Sequence, residues 1–267
     1  MNFQQFWFYN PMELGYGTSV NSSNMKYTSD CKRVRSAFTL IELLVVISII
    51  GILAGMIAPA IITAKVKAQA AAARTEMKSL IGAISAYQTD YSRLPATAKT
   101  MQTAAGNDFT FGAKYTNNSF VASAGSINDT NAVYNRYEAT YQNCNAEILR
   151  ALTATAAYEN LNNILNPSKT AYFTAQKVAN TTTEAGIGPD SVFRDPWGMP
   201  YIITLDLNYD NVCDDAFYNA KKYGSVGGIL NVSVPGNVMI WSYGPDKTID
   251  MTKGAKFGAN KDNVLSW

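Results

Sequence analysis

The sequence predicts an α+β fold, a long N-terminal α-helix whose first half is transmembrane, packed on a small antiparallel β-sheet. Three observations predict it. Residues 38 to 62 read FTLIELLVVISIIGILAGMIAPAII, with Glu42 as the only charge, long enough to cross a bilayer with some tilt. Residues 63 to 91 continue as an Ala-rich segment with Ala68, Ala71, Ala72, Met77, Leu80, Ile81, Ile84 and Tyr87 near helical spacing. Toward the C-terminus, short β-rich runs alternate with Pro/Gly turns.

The helix carries the strongest signals. A secretory signal peptide would have a shorter apolar region ending in a small-residue cleavage site; here the periodic pattern continues past Ile62. Lys32, Arg33 and Arg35 stand just before the apolar run, so the positive-inside tendency places that flank in the cytoplasm and the C-terminal body outside. A carboxylate within such a span costs about 2.5–3.5 kcal/mol on insertion scales, so Glu42 calls for a partner or a purpose. Gly51, Gly55 and Pro59 loosen and kink the segment.

Leu94-Pro95 is expected to close the helix. Residues 96 to 140, rich in Thr, Asn, Ala and Gly with aromatics at Phe109, Phe111, Tyr115 and Phe120, read as a long surface loop with a short strand. Residues 146 to 152 read as a helix, and Asn166-Pro167 ends a second short segment over 161 to 165. Residues 94 to 190 are thus expected to be a loop-rich insertion decorating one face, with 191 to 267 supplying the sheet. In that part Asp195-Pro196-Trp197-Gly198-Met199-Pro200-Tyr201 is a tight turn feeding a strand at 202 to 205. Strands at 229 to 234 and 238 to 241 are joined through Pro235-Gly236-Asn237.

Composition excludes several function classes. The formal charge is +2, and Lys26, Lys32, Arg33 and Arg35 against Glu13 and Asp30 place that surplus before residue 38. A neutral body lacks the Lys/Arg footprint of a nucleic-acid partner. With no histidine in the chain, the commonest general base, nucleophile activator and transition-metal ligand is missing, and no enzyme activity is expected. Cys31, Cys144 and Cys213 form no CxxC pair; one disulfide between Cys144 and Cys213 and two separate thiols are both open.

Ser36-Ala37-Phe38-Thr39-Leu40-Ile41-Glu42-Leu43-Leu44 resembles the prepilin processing site of type IV pilins and type II secretion pseudopilins. The resemblance implies a type IV pilin fold, here with a large insertion. It implies that prepilin peptidase cuts between Ala37 and Phe38, removing leader 1–37, and methylates the new amino terminus at Phe38. The family has glycine where this chain has Ala37. Phe38, Glu42 and Pro59 are then assembly residues. The amine of Phe38 in one subunit meets the carboxylate of Glu42 in a neighbour, each neutralising the other's charge and setting register. The leader is long for the family, and Met25 is expected to be the start of translation.

Residues 195–201 resemble a signature of major pseudopilins, and Trp241-Ser242-Tyr243-Gly244-Pro245-Asp246 with Asp262-Asn263-Val264-Leu265-Ser266-Trp267 resembles their C-terminal end. The family binds calcium in that loop, which points to Asp246, Asp250 and Asp262; solvated turn carboxylates are the alternative. Asp206-Leu207-Asn208-Tyr209-Asp210-Asn211 begins like an EF-hand loop but lacks its glycine and has Phe217 in place of the last ligand. The implied function is a structural subunit of a secretion pseudopilus in the inner membrane. Its implied partners are prepilin peptidase, other pseudopilin subunits and an inner-membrane assembly platform. A type IV pilus subunit and a membrane-anchored exported binding domain are the alternatives.

Overall fold

The computed structural model describes residues 38–116, 119–122, 144–179, 184–219, 230–250 and 252–267; Met25, Cys31 and Ala37 lie outside them. Two units are distinguished, dividing between Ile52 and Leu53. Helix α1, Leu40–Tyr91, contains Pro59. The Thr63 hydroxyl donates to the Pro59 carbonyl at 3.1 Å.

In the first unit, the described residues from Phe38 to Ile52 are all exposed. The second unit holds the α+β body. Ala73, Met77, Leu80, Ala83, Ile84 and Tyr87 form the buried face of α1, at the three- and four-residue intervals that place side chains on one side of a helix. The helix ends because Ser92 turns into the left-handed region, φ +54°, while its N–H still donates to the Gln88 carbonyl at 2.8 Å. Leu94-Pro95 follows this stop rather than causing it.

After α1 come α2 (Ala98–Ala104), β1 (Phe109–Phe111), β2 (Ala113–Thr116), β3 (Ser119–Ala122) and α3 (Ala146–Leu152). Then follow β4 (Gly186–Ile187), β5 (Phe193–Arg194), β6 (Ile202–Leu205) and β7 (Val212–Asp214). The last strands are β8 (Ser233–Pro235), β9 (Val238–Ser242) and β10 (Val264–Leu265). The central sheet has the order β1-β6-β9-β10, antiparallel throughout, with Phe111 opposite Ile203, Ile203 opposite Ile240 and Leu265 opposite Trp241.

Strand alternation divides the core. Phe109, Phe111, Ile203, Leu205, Ile240 and Val264 cluster with the buried face of α1. Ile202, Met239 and Trp241 cluster instead with Cys213, Phe217 and Tyr218. With both faces covered, all of β6 is buried, and a strand buried on both faces reads as a continuous apolar run. Each fully buried large apolar side chain contributes about 1.5–3 kcal/mol. Met77, Leu80, Ile84 and Tyr87 therefore outweigh the polar links from helix to sheet, each about 1 kcal/mol net.

Three expectations are corrected. Residues 94–190 are not only a surface insertion: β1 is an edge of the central sheet, and every residue of α3 is buried. Alternating Phe-Thr-Phe suits a sheet edge packed on both sides, and Thr97 starts α2 by accepting the Thr100 N–H at 3.0 Å. The segment expected over 161 to 165 is a 3₁₀ turn at Tyr158–Asn163 that leaves helical geometry at Asn160–Asn162. Also, Pro235-Gly236-Asn237 does not close a hairpin. β8 pairs with β7 and β9 pairs with β6 and β10, so Pro235 ends β8 and Gly236-Asn237 carry the chain from one sheet to another. Tyr115 falls in β2 and Phe120 in β3.

Candidate functional site

The head of α1 is a reciprocal cap. The Thr39 N–H and hydroxyl both donate to Glu42 Oε2 at 2.8 Å, and the Glu42 N–H donates to Thr39 Oγ1 at 3.3 Å. A Thr followed three residues later by Glu satisfies two orphan donors of a helix start at once. The Leu43 N–H closes the first turn on the Thr39 carbonyl at 3.2 Å. Phe38 stands just outside it, 76% exposed. Thus Glu42 lies in the first turn and Phe38 just before it, while Pro59 belongs to the other unit. The apolar first half of the helix is fully exposed. Among the described residues α1 is the one helix long and apolar enough to cross a membrane.

In the C-terminal loop, Asp246 and Asp262 come together. The Asp246 N–H donates to Asp262 Oδ2 at 3.3 Å, and Asp246 Oδ1 accepts the Thr248 N–H at 2.9 Å. Burial, and then the charge of Asp246, push the Asp262 carboxyl above the usual carboxylate range. Asp262 Oδ1 is buried without a hydrogen-bond partner among the described residues. Gly244, at φ +73°, lets the backbone pass here, since a Cβ on it would lie 2.2 Å from the Asp262 carbonyl oxygen.

Asp250 is held by a different set of contacts. Its Oδ1 accepts the Thr252 N–H at 2.8 Å and the Thr252 hydroxyl at 2.6 Å, bonds that lower its pKa. Its own N–H donates to Asn260 Oδ1 at 2.8 Å. No group of three His, Cys, Asp or Glu able to hold a metal is present among the described residues. Two like charges and an orphaned carboxylate oxygen fit a hard cation completed by backbone oxygens; Asp250 is not drawn into that pair.

The 206–211 segment is a hydrogen-bonded turn. The Asp206 carboxylate accepts the N–H groups of Asp210 at 3.2 Å and Asn211 at 2.8 Å, as Asx turns do. Cys144 and Cys213 are free and buried, in separate clusters, and burial raises both thiols.

Among the buried carboxylates that were not singled out from the sequence, Asp195, Asp215 and Glu147 gather several donors each. Asp195 Oδ1 accepts the N–H groups of Trp197 and Met199, each at 2.9 Å, while its Oδ2 accepts the Ser242 hydroxyl. The Gly244 N–H donates to Ser242 Oγ at 3.0 Å, so the 195–201 turn braces the start of the Asp246 loop. Asp215 accepts from Thr204 Oγ1 at 2.6 Å, Trp241 Nε1 at 3.0 Å and the N–H groups of Phe217 and Tyr218 at 2.9 Å. Glu147 receives the Thr97 N–H at 2.7 Å and the Thr100 hydroxyl. Only the tight turn gave a signal, the Asp-Pro-Trp-Gly order.

Residues 32–58 match the prokaryotic N-terminal methylation motif. The chain is 32% identical over 71 residues to the type II secretion system core protein G of Pseudomonas aeruginosa, covering 27% of this chain and 50% of that protein. It is 41% identical over 66 residues to the core protein G of Aeromonas hydrophila, covering 25% and 46%. It is also 39% identical over 94 residues to the fimbrial protein EcpC of Eikenella corrodens, covering 35% and 59%. The chain spans about half the length of the curated relatives it matches. No solved structure matches it. The chain thus carries a prepilin-type motif and is weakly homologous to core protein G pseudopilins.

Proposed function

We propose that this chain is a structural, non-catalytic subunit of a type II secretion pseudopilus, anchored by α1 as a single membrane span with its body outside the cytoplasm. The observation that carries this reading is the head of α1: one carboxylate, held by its own cap, at the start of an exposed apolar helix long enough to cross a membrane. Cleavage between Ala37 and Phe38 by prepilin peptidase, and methylation of Phe38, would create a cation next to that carboxylate. Glu42 Oε2 is engaged by Thr39, which fixes the side chain while Oε1 remains for a neighbour's amine. In lipid, an unpaired carboxylate costs more than a paired one, so assembly in one register is favoured over sliding. Other pseudopilin subunits and an inner-membrane assembly platform complete the partners.

The match to a fimbrial protein keeps a type IV pilus subunit as the second reading. The two separate on what is lost when the gene is deleted: exported proteins retained in the periplasm for the first, surface filaments for the second. Assembly itself is tested with Glu42→Gln and Glu42→Asp. The first should abolish filaments recovered by shearing, and the second should retain a fraction; equal recovery from Glu42→Gln and the native chain overturns the reading.

We propose in addition that the C-terminal loop binds calcium through Asp246 and Asp262 with backbone oxygens. Luminescence of terbium used as a calcium probe should be lost in Asp262→Ala and kept in Asp250→Ala. Loss in neither variant places the cation elsewhere.

A further inference from the structure

Outside the apolar half of α1, four large apolar side chains are at least 60% exposed among the described residues: Tyr158, Leu161, Ile164 and Phe257. Three of them fall within seven residues, on and just after the 3₁₀ turn Tyr158–Asn163. This display is held under strain. Tyr158 sits in the left-handed region at φ +48°, which costs free energy for a bulky side chain, while Asn162 and Asn163, both at φ +57°, are of the type that tolerates that region best after Gly.

The brace beneath is buried and polar. Asn160 Nδ2 donates to the carbonyls of Arg150 at 3.0 Å and Thr155 at 3.1 Å, and its Oδ1 accepts the Leu165 N–H at 3.0 Å. The Arg150 guanidinium lies 4.3 Å from the Tyr158 ring centroid and pairs with Glu159 at 2.5 Å, so the charges beside the turn are neutralised. The Leu165 carbonyl accepts the Tyr87 hydroxyl at 2.5 Å, tying the turn to the C-terminal end of α1. A fold that spends strain and hydrogen bonds to keep apolar side chains outward is presenting them to something.

The size of the patch selects the occupant. Three such side chains offer roughly a few hundred Å², well short of the about 800 Å² per partner that an independent, freely diffusing complex buries. A contact this small holds only a partner already alongside, at high effective concentration. On the filament-subunit reading, on which this inference rests, that partner is another copy. The copy also offers a complementary surface, since Ala68, Ala72, Thr75, Ser79, Gly82 and Ala86 are all exposed on α1 at intervals of three and four. That makes one uncharged helix face with no large side chain on it. We infer that Tyr158, Leu161 and Ile164 of one subunit seat on this face of the next, a head-to-tail contact of the kind that propagates a filament.

The test uses the full chain in its native membrane, with one copy carrying Leu161→Cys co-expressed with another carrying Ser79→Cys; Cys144 and Cys213 are buried. A bismaleimide should shift the mixed pair to twice the chain mass, and the shift should vanish when either cysteine is omitted. Ile50→Cys in the apolar helix reports assembly independently. Helix cross-linking without a 161–79 product, with Thr75→Cys and Gly82→Cys also negative, overturns this contact and leaves the assembly reading standing. Loss of both products overturns the assembly reading and the contact with it. Capture of a different protein by Leu161→Cys, in place of a second copy, refutes the choice of occupant.

Discussion

Replacing Asp195 by alanine strands the N–H groups of Trp197 and Met199 and removes the acceptor of the Ser242 hydroxyl. Asp195 is fully buried, so water does not replace the lost oxygens without cost. Each stranded buried donor costs about 1–3 kcal/mol. The hydroxyl can rotate, leaving two backbone groups and an expected loss of about 2–6 kcal/mol, a large share of the about 5–15 kcal/mol total of a domain. Asp195→Asn keeps the oxygen that serves both N–H groups, and its new amide can donate to Ser242 Oγ, so its loss should stay near 1 kcal/mol.

The assay is urea unfolding of the full chain in detergent, followed by tryptophan fluorescence and compared as midpoint and slope. Burial raises the Asp195 carboxyl above its usual value, so the folded state holds that proton more tightly than the unfolded one. Stability from this group is therefore present at low pH and is lost as pH rises from the ordinary aspartate value through the raised one. Asp195→Asn should flatten that slope. If Asp195→Ala and Asp195→Asn unfold within about 0.5 kcal/mol of each other, the accounting of stranded donors is wrong.

Glu76, half-buried, accepts the Tyr201 hydroxyl at 2.5 Å, and burial raises its pKa; Glu76→Gln should lower the sensitivity of the unfolding midpoint to rising pH above the ordinary glutamate range, and an unchanged profile would show the seam to be wet. Gly244→Ala combines a left-handed backbone with a Cβ 2.2 Å from the Asp262 carbonyl oxygen. It should cost about 2 kcal/mol or more and abolish terbium binding, whereas normal binding would remove the loop from the cation site. Thr39→Val removes the capping hydroxyl from Glu42 and should reduce, without abolishing, recovered filaments, at a cost of about 1 kcal/mol at the helix start.

The helix and its polar head were legible because their signals are local. Glu42 marks the head as the one charge in an apolar run, and Met77, Leu80, Ile84 and Tyr87 mark the face that packs on the sheet, whereas Ala68, Ala71 and Ala72, at similar spacing, are exposed and Ala73 and Ala83 complete the buried face instead. The sheet was legible only in its strongest strands. Residues 202–205 and 238–241 are mostly β-branched or aromatic, with Leu205 and Met239 as the other apolar members, whereas β1 is three residues inside a Thr- and Gly-rich stretch and gains its place from the strand opposite. The Pro235-Gly236-Asn237 order carries a turn but not the identity of the strands paired on either side, which long-range packing decides. The buried carboxylates were illegible for the same reason: Asp215 is matched by Thr204 and Trp241, from two strands of the central sheet, and no spacing rule joins them.

The most direct test of the central claim is intact mass and N-terminal analysis of the chain recovered from its native membrane. The account predicts a mature chain that begins with N-methylated Phe38, with Glu42 as its fifth residue. A chain left uncut, or cut at another bond, would contradict it and leave the capped carboxylate at the head of α1 without an amine to meet.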